Sequence, residues 1–224
     1  MKRVLFVGDG KHDIGGPDGV SDDPFPARGV VSNLAARVAA VDVERSVALR
    51  WVDFSRFSTS GKRGYPAKIK AAHLLAERKF KLDGVVCVVD EDNDPGRREL
   101  LAMTQCAQPC PLVCGVAVRS IEAWTLGAPT ALAAVLGTTR EKLRSKCPSV
   151  PVEQLYDGSG KQELRSKRLL GELARELGRS NDSLELREEV ARQTDPAELC
   201  RGCAEGFAPF AASLREAFGA AGGA

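Results

Sequence analysis

Residues 84–89 read Gly-Val-Val-Cys-Val-Val and stop at Asp90-Glu91-Asp92-Asn93-Asp94-Pro95-Gly96. A continuous, β-branched apolar run of this length suits a strand buried on both faces, the condition of strands in a parallel sheet. Three further stretches behave in the same way: 4–7, ending in Gly8-Asp9-Gly10, then 47–52 and 111–118. Helix-like segments separate them. Residues 29–40 carry Val30, Leu34, Val38 and Val41 at helical spacing, Pro66 opens a second helix, and 95–106 form a third. Parallel neighbours cannot be joined by tight turns, so strands spaced by helices predict an α/β fold with a parallel sheet of about four strands and right-handed crossovers.

Beyond Ser120 the pattern is helical only, with segments at 121–126, 128–136, 140–145, 164–177, 184–193 and 207–218, broken at 148–151 and at Asp195-Pro196. Each is short and needs a partner for its apolar side. We therefore read residues 1–127 as the α/β core and 128–224 as a helical extension packed on it.

No stretch approaches the roughly 18 uninterrupted apolar residues of a membrane helix, and the apolar run after Lys2-Arg3 is too short for a signal peptide. The expectation is a cytoplasmic protein with no membrane partner. The 32 basic and 30 acidic side chains leave a formal charge of +2, so any binding of nucleic acid has to be local. Seven cysteines read as reduced thiols. The Cys200/Cys203 pair raises the question of zinc, but it lacks a matched second pair and has no histidine near it in sequence.

In an open parallel sheet, ligands collect beyond the carboxyl ends of the strands. Here the first strand ends at Asp9, with Asp13 just beyond, and the third at Asp90, Asp92 and Asp94. In extended backbone Asp90 and Asp92 fall on one side and Glu91 on the other. Crowded carboxylates repel, and a hard divalent ion relieves them; an oxygen-only ligand set favours Mg2+, Mn2+ or Ca2+ over zinc. The plain alternative is that these are turn formers and caps, a role that suits Asp94 before Pro95. An EF-hand is excluded, because Pro95 stands where the turn glycine belongs and Leu101 where the twelfth-position Glu belongs. Glu122, at a helix start, either joins the site or serves the helix dipole. Trp124 suits the core. Lys11, and Arg97 with Arg98, are placed to meet a phosphate, whereas the four basic residues of 161–168 read as a solvated helix face.

Phe6-Val7-Gly8-Asp9-Gly10-Lys11-His12-Asp13, then Val89-Asp90-Glu91-Asp92, then the passage from Val116 through Ile121-Glu122-Ala123-Trp124 to Leu126, and finally Glu205-Gly206-Phe207-Ala208-Pro209-Phe210, together resemble the Toprim-like bacterial family DUF4276. More distantly they resemble the Toprim domains of topoisomerases, primases and OLD-type nucleases. The resemblance implies Mg2+ (or Mn2+)-dependent phosphoryl transfer on nucleic acid, in phage defence or repair. It casts Asp9 as general acid/base and as a metal ligand beside Asp90 and Asp92, with Asp13 and Glu122 as further acids. The family has Glu where this chain has Asp9, one methylene shorter, so a non-catalytic module that binds a nucleotide or partner is the alternative reading. A haloacid dehalogenase-type phosphatase is disfavoured, since its nucleophile loop would precede the Gly-Asp-Gly element.

Overall fold

The computed structural model describes residues 1–17, 23–56, 64–91, 94, 96–105, 110–147, 149–155, 163–178 and 184–221. Its sheet has five strands in the order β2-β3-β1-β4-β5. Four are parallel: β1 (Val4–Gly8), β3 (Val47–Arg50), β4 (Gly84–Asp90) and β5 (Leu112–Ala117). The fifth, β2 (Phe25–Pro26), pairs antiparallel with β3. The expected count of about four is thereby corrected to five. Two residues carry no periodicity, and a proline is tolerated in a strand only at an edge such as this.

Alternation along the strands sends side chains to two separate cores. Val4, Phe6, Val86, Val88, Val113 and Ala117 face one layer, and Leu5, Val7, Leu49, Val85, Cys87 and Val89 the other. On the first face lies α2 (Gly29–Val38), which buries Val30, Val31, Leu34, Ala35 and Val38. On the second lie α3 (Tyr65–Leu74), continued by a wider π-helical turn at Leu75–Phe80, and α4 (Gly96–Gln105) through Leu101. α2 connects β1 to β3 and α3 connects β3 to β4, two crossovers running in opposite directions along the sheet. Right-handed crossovers in opposite directions put their helices on opposite faces.

After β5 come α5 (Ile121–Leu126), α6 (Pro129–Leu136), α7 (Arg140–Lys146), α8 (Glu163–Glu176), α9 (Leu184–Gln193), α10 (Pro196–Gly202) and α11 (Phe207–Phe218). The sequence reading marks Asp195-Pro196 as a break and misses α10. Asp195 both ends one helix and caps the next, its carboxylate accepting from Ala197 N at 2.9 Å and Glu198 N at 3.3 Å. α5 to α9 share a small core of their own around Leu132, Leu143, Leu170 and Val190. α11 returns to the sheet with Phe207, Phe210, Leu214 and Phe218 in the first core. There Trp124 is fully buried, stacked on Phe210 with ring centroids 5.3 Å apart and edge-on to Phe207 at 5.2 Å. Two motifs distant in sequence thus meet in one aromatic cluster, the arrangement that offset and edge-to-face rings favour. No helix among the described residues is long and apolar enough to cross a membrane.

Candidate active site at the strand ends

Because the chain leaves β1 for β3 on one side and later returns to β4 on the other, a crevice forms beyond the carboxyl ends of β1 and β4. Asp9 directly follows β1, and Asp90 is the last residue of β4. Between Asp9 and α2 the chain makes one short helix, α1 (Lys11–Ile14), whose seat is set by glycines. Gly29 has φ +84°, and a Cβ there would stand 2.7 Å from the backbone carbonyl of Asp13. A side chain at position 29 would therefore push α1 off its site. Asp13 is turned back on its own loop, with Oδ2 accepting from Gly10 N at 2.9 Å.

Asp90 is held from both ends. Its Oδ1 accepts from Ile121 N at 2.9 Å, at the start of α5, and its backbone carbonyl accepts from the guanidinium of Arg97. The next residue of α5, Glu122, is 3 % exposed. Its Oε1 accepts from Arg187 of α9 at 2.8 Å, and Arg187 is also 3 % exposed. The ammonium of Lys167 on α8 lies 4.0 Å from the same oxygen. The other oxygen, Oε2, is buried and has no hydrogen-bond partner among the described residues. Asp9, Asp13, Asp90 and Glu122 line one open cleft of about 340 Å³, together with Lys11, Lys167 and Arg187.

The acids sense each other. Burial, then the charges of Glu122 and Asp9, push the Asp13 carboxyl up to about 7, against the pull of the Gly10 amide and Arg187. Burial also pushes Asp90 well above the carboxylate range, with Asp13, Glu122 and Asp9 adding to it and Lys167 opposing. Glu122 goes the other way. Burial raises it, but the charges of Arg187 and Lys167 prevail and hold it below its ordinary value. The cleft therefore contains one firmly ionised carboxylate and at least two that hold protons more tightly than usual.

The structure brings together Asp9, Asp13, Asp90, Glu122 and Lys11 from the expected set. Asp92 lies outside the described residues. Arg97 and Arg98 are not in the cleft. Beyond its bond to Asp90, Arg97 pairs with Asp94 at 3.6 Å and lies over the Tyr65 ring. Arg98 pairs with Glu91 at 3.2 Å and Glu205 at 3.8 Å, beside a separate cavity at the β5 edge. α4 turns them away, because it buries Leu101 in the second core. Lys167 and Arg187 are the residues sequence reasoning missed. Lys167 falls in the stretch read as a solvated face, and Arg187 shows no local signal, standing 65 residues from its partner. Of the Cys200/Cys203 pair, Cys203 is fully buried with its thiol toward the Ala123 carbonyl, and both thiols are pushed up chiefly by burial.

The donor set is all oxygen, burial and then mutual repulsion raise two of its own pKa values, and it contains a buried oxygen on Glu122 with no hydrogen-bond partner among the described residues. That chemistry fits a hard divalent cation. Among the described residues, no three His, Cys, Asp or Glu side chains are already gathered closely enough to hold one ion. The chain matches no family model, no curated protein and no solved structure.

Proposed function

We propose that this is a divalent-metal-dependent phosphoryl-transfer enzyme, a nuclease with a Toprim-like core related to the DUF4276 family, acting on nucleic acid. One observation carries the reading: Asp9, Asp13, Asp90 and Glu122, from beyond the ends of β1, β4 and β5, converge on a single cleft beside Lys11, Lys167 and Arg187. Bound Mg2+ or Mn2+ would supply the charge that neutralises a phosphodiester's non-bridging oxygens and activates a water. Asp9, Asp90 and Glu122 Oε2, with Asp92 two positions after Asp90 in sequence, are the groups that would hold it. Cation binding would gather carboxylates that stand apart in its absence.

The remaining side chains have separate work. Asp13, titrating near neutral pH, is suited to take or return a proton from the attacking water or leaving oxygen. Asp9 is solvent-exposed at the cleft mouth and shares that access. Asp90 is oriented by the α5 amide, so its second oxygen faces a fixed direction. Arg187 keeps Glu122 ionised and still.

Purified protein with Mg2+ or Mn2+ is expected to cleave single- or double-stranded DNA or RNA, and Asp90→Ala to abolish cleavage while leaving the far-ultraviolet circular dichroism unchanged. Absence of cleavage across all four substrate classes with both metals would remove the enzyme. The runner-up, a module that binds a nucleotide or a partner without turnover, draws on the short side chain of Asp9 and on Glu122 being already matched by Arg187. Calorimetric binding of metal or nucleotide without turnover is its signature.

A further inference from the structure

The cations facing the acids do not come from the loop next to Asp90. Arg97 and Arg98 are engaged with Asp90 O, Asp94, Glu91 and Glu205. What faces Asp90 and Glu122 is Lys167 on α8 and Arg187 on α9, both from the helical extension. These two are not equivalent. Arg187 is 3 % exposed, packed against Glu122, and its geometry is spent on that carboxylate. The Lys167 side chain is 49 % exposed and reaches Glu122 Oε1 only at 4.0 Å, a distance at which an ammonium is steered but not consumed. It stands on the cleft wall with its charge felt at Asp90.

We propose that Lys167 is the phosphate contact of this cleft, tethered over it by Glu122, and that the ligand is recognised through a single phosphate group of a nucleotide or strand instead of along an extended backbone. The proposal rests on the phosphoryl-transfer reading of the same cleft. A lysine suits the role: its ammonium is a compact charge on a flexible stem, able to leave a 4.0 Å tether for an oxyanion at hydrogen-bond distance. Size and charge limit how much of a nucleic acid is held. A cleft of about 340 Å³ admits one nucleotide unit, and its solvent-facing lysines are Lys11 and Lys167. Proteins that bind along a duplex typically make about 6–10 phosphate contacts.

Two fluorescent probes test this, a labelled adenosine monophosphate and a labelled twelve-nucleotide single-stranded DNA. Binding is read by anisotropy with Ca2+ and with chelator, in wild type, Lys167→Ala, Lys167→Arg and the control Lys142→Ala on exposed α7. Lys167→Ala is expected to weaken both probes about tenfold, the loss of one charge-assisted hydrogen bond. Lys167→Arg should stay near wild type, and Lys142→Ala should match it. For the strand, one neutralised phosphate gives a slope of log affinity against log salt of about −0.7 in wild type, and Lys167→Ala should flatten it toward zero. A wild-type slope several times steeper would overturn the single-phosphate claim. Equal affinity and slope in wild type and Lys167→Ala would overturn Lys167 itself, as would failure of wild type to bind either probe. Lys167-dependent binding without cleavage would remove the catalytic reading and leave this proposal standing.

Discussion

Two acids lie beyond strand ends on opposite sides of β1, and their surroundings differ in one respect. Asp53, just past β3, is fully buried, and both its oxygens are occupied: Oδ2 accepts from Arg50 N at 2.8 Å and from Arg50 Nε at 3.4 Å, and Oδ1 accepts from Arg50 NH2 at 3.3 Å. Arg50 in turn donates to Pro17 O at 3.0 Å and lies over the Phe25 ring. That group is closed, local and complete. Beyond β4 and β5, Asp90 and Glu122 sit with Asp13 and Asp9 around open space, two of them with raised pKa values and one with a buried oxygen that has no hydrogen-bond partner among the described residues. An acid at the end of a parallel strand is therefore no evidence of a site by itself. What separates structure from chemistry is whether its lone pairs are already taken.

Removing the closed group should cost the most in stability. Asp53→Ala leaves Arg50 buried without its carboxylate, a loss of about 3–5 kcal/mol by denaturant titration, while divalent-cation binding persists in the protein that remains folded. Arg187→Met breaks the other buried pair. The cost is about 2–3 kcal/mol, less than the usual range for an orphaned buried charge because Lys167 stays beside Glu122. Unlike Asp53→Ala, it should also raise the Glu122 carboxyl and weaken cation binding. Equal behaviour of the two variants toward the cation would erase the distinction between the regions.

A pH dependence is expected from the open group. Asp13 has its folded-state pKa raised from 3.8 to about 7, so the folded state binds its proton more tightly than the unfolded chain does. Its contribution to cation-free stability is fully present below about pH 3.8 and is lost as pH rises through about 7. A divalent cation competes for the same carboxylates, so the stabilisation it gives should be greater at pH 8 than at pH 5.5, by on the order of 1 kcal/mol. Thermal melts at the two pH values, with Mn2+ and with chelator, measure this difference. The smallest effect belongs to Arg98→Ala, whose ion pairs are partly exposed and lie outside the cleft. It should cost less than about 1 kcal/mol and leave cation affinity unchanged.

The parts of this molecule that read clearly in the sequence are those set by local chemistry. β1 and β4 are visible as unbroken apolar runs because both their faces are buried. α5, α9 and α11 keep their expected ranges because their apolar spacing and the breaks around them are local signals. Asp9, Asp13, Asp90 and Glu122 are legible as site candidates because each follows a strand. β2 is not, having only two residues. Lys167 and Arg187 are not either, since a charged residue on an amphipathic helix reads as solvent-facing, and only the packing of α8 and α9 against α5 reveals what it touches. The burial of Arg98's neighbour Leu101 likewise turned a basic pair away from the cleft that it borders in sequence.

The central claim is that the open group of carboxylates is a cation site, and calorimetric titration of Mn2+ into wild type and Asp90→Asn at pH 7 tests it most directly. Asparagine keeps an acceptor for the Ile121 amide, so the loop retains its support. Wild type should bind with measurable release of protons from Asp13 and Asp90, and Asp90→Asn should bind about a hundredfold more weakly or not at all. Equal binding by both proteins, or no binding by wild type, would contradict the account.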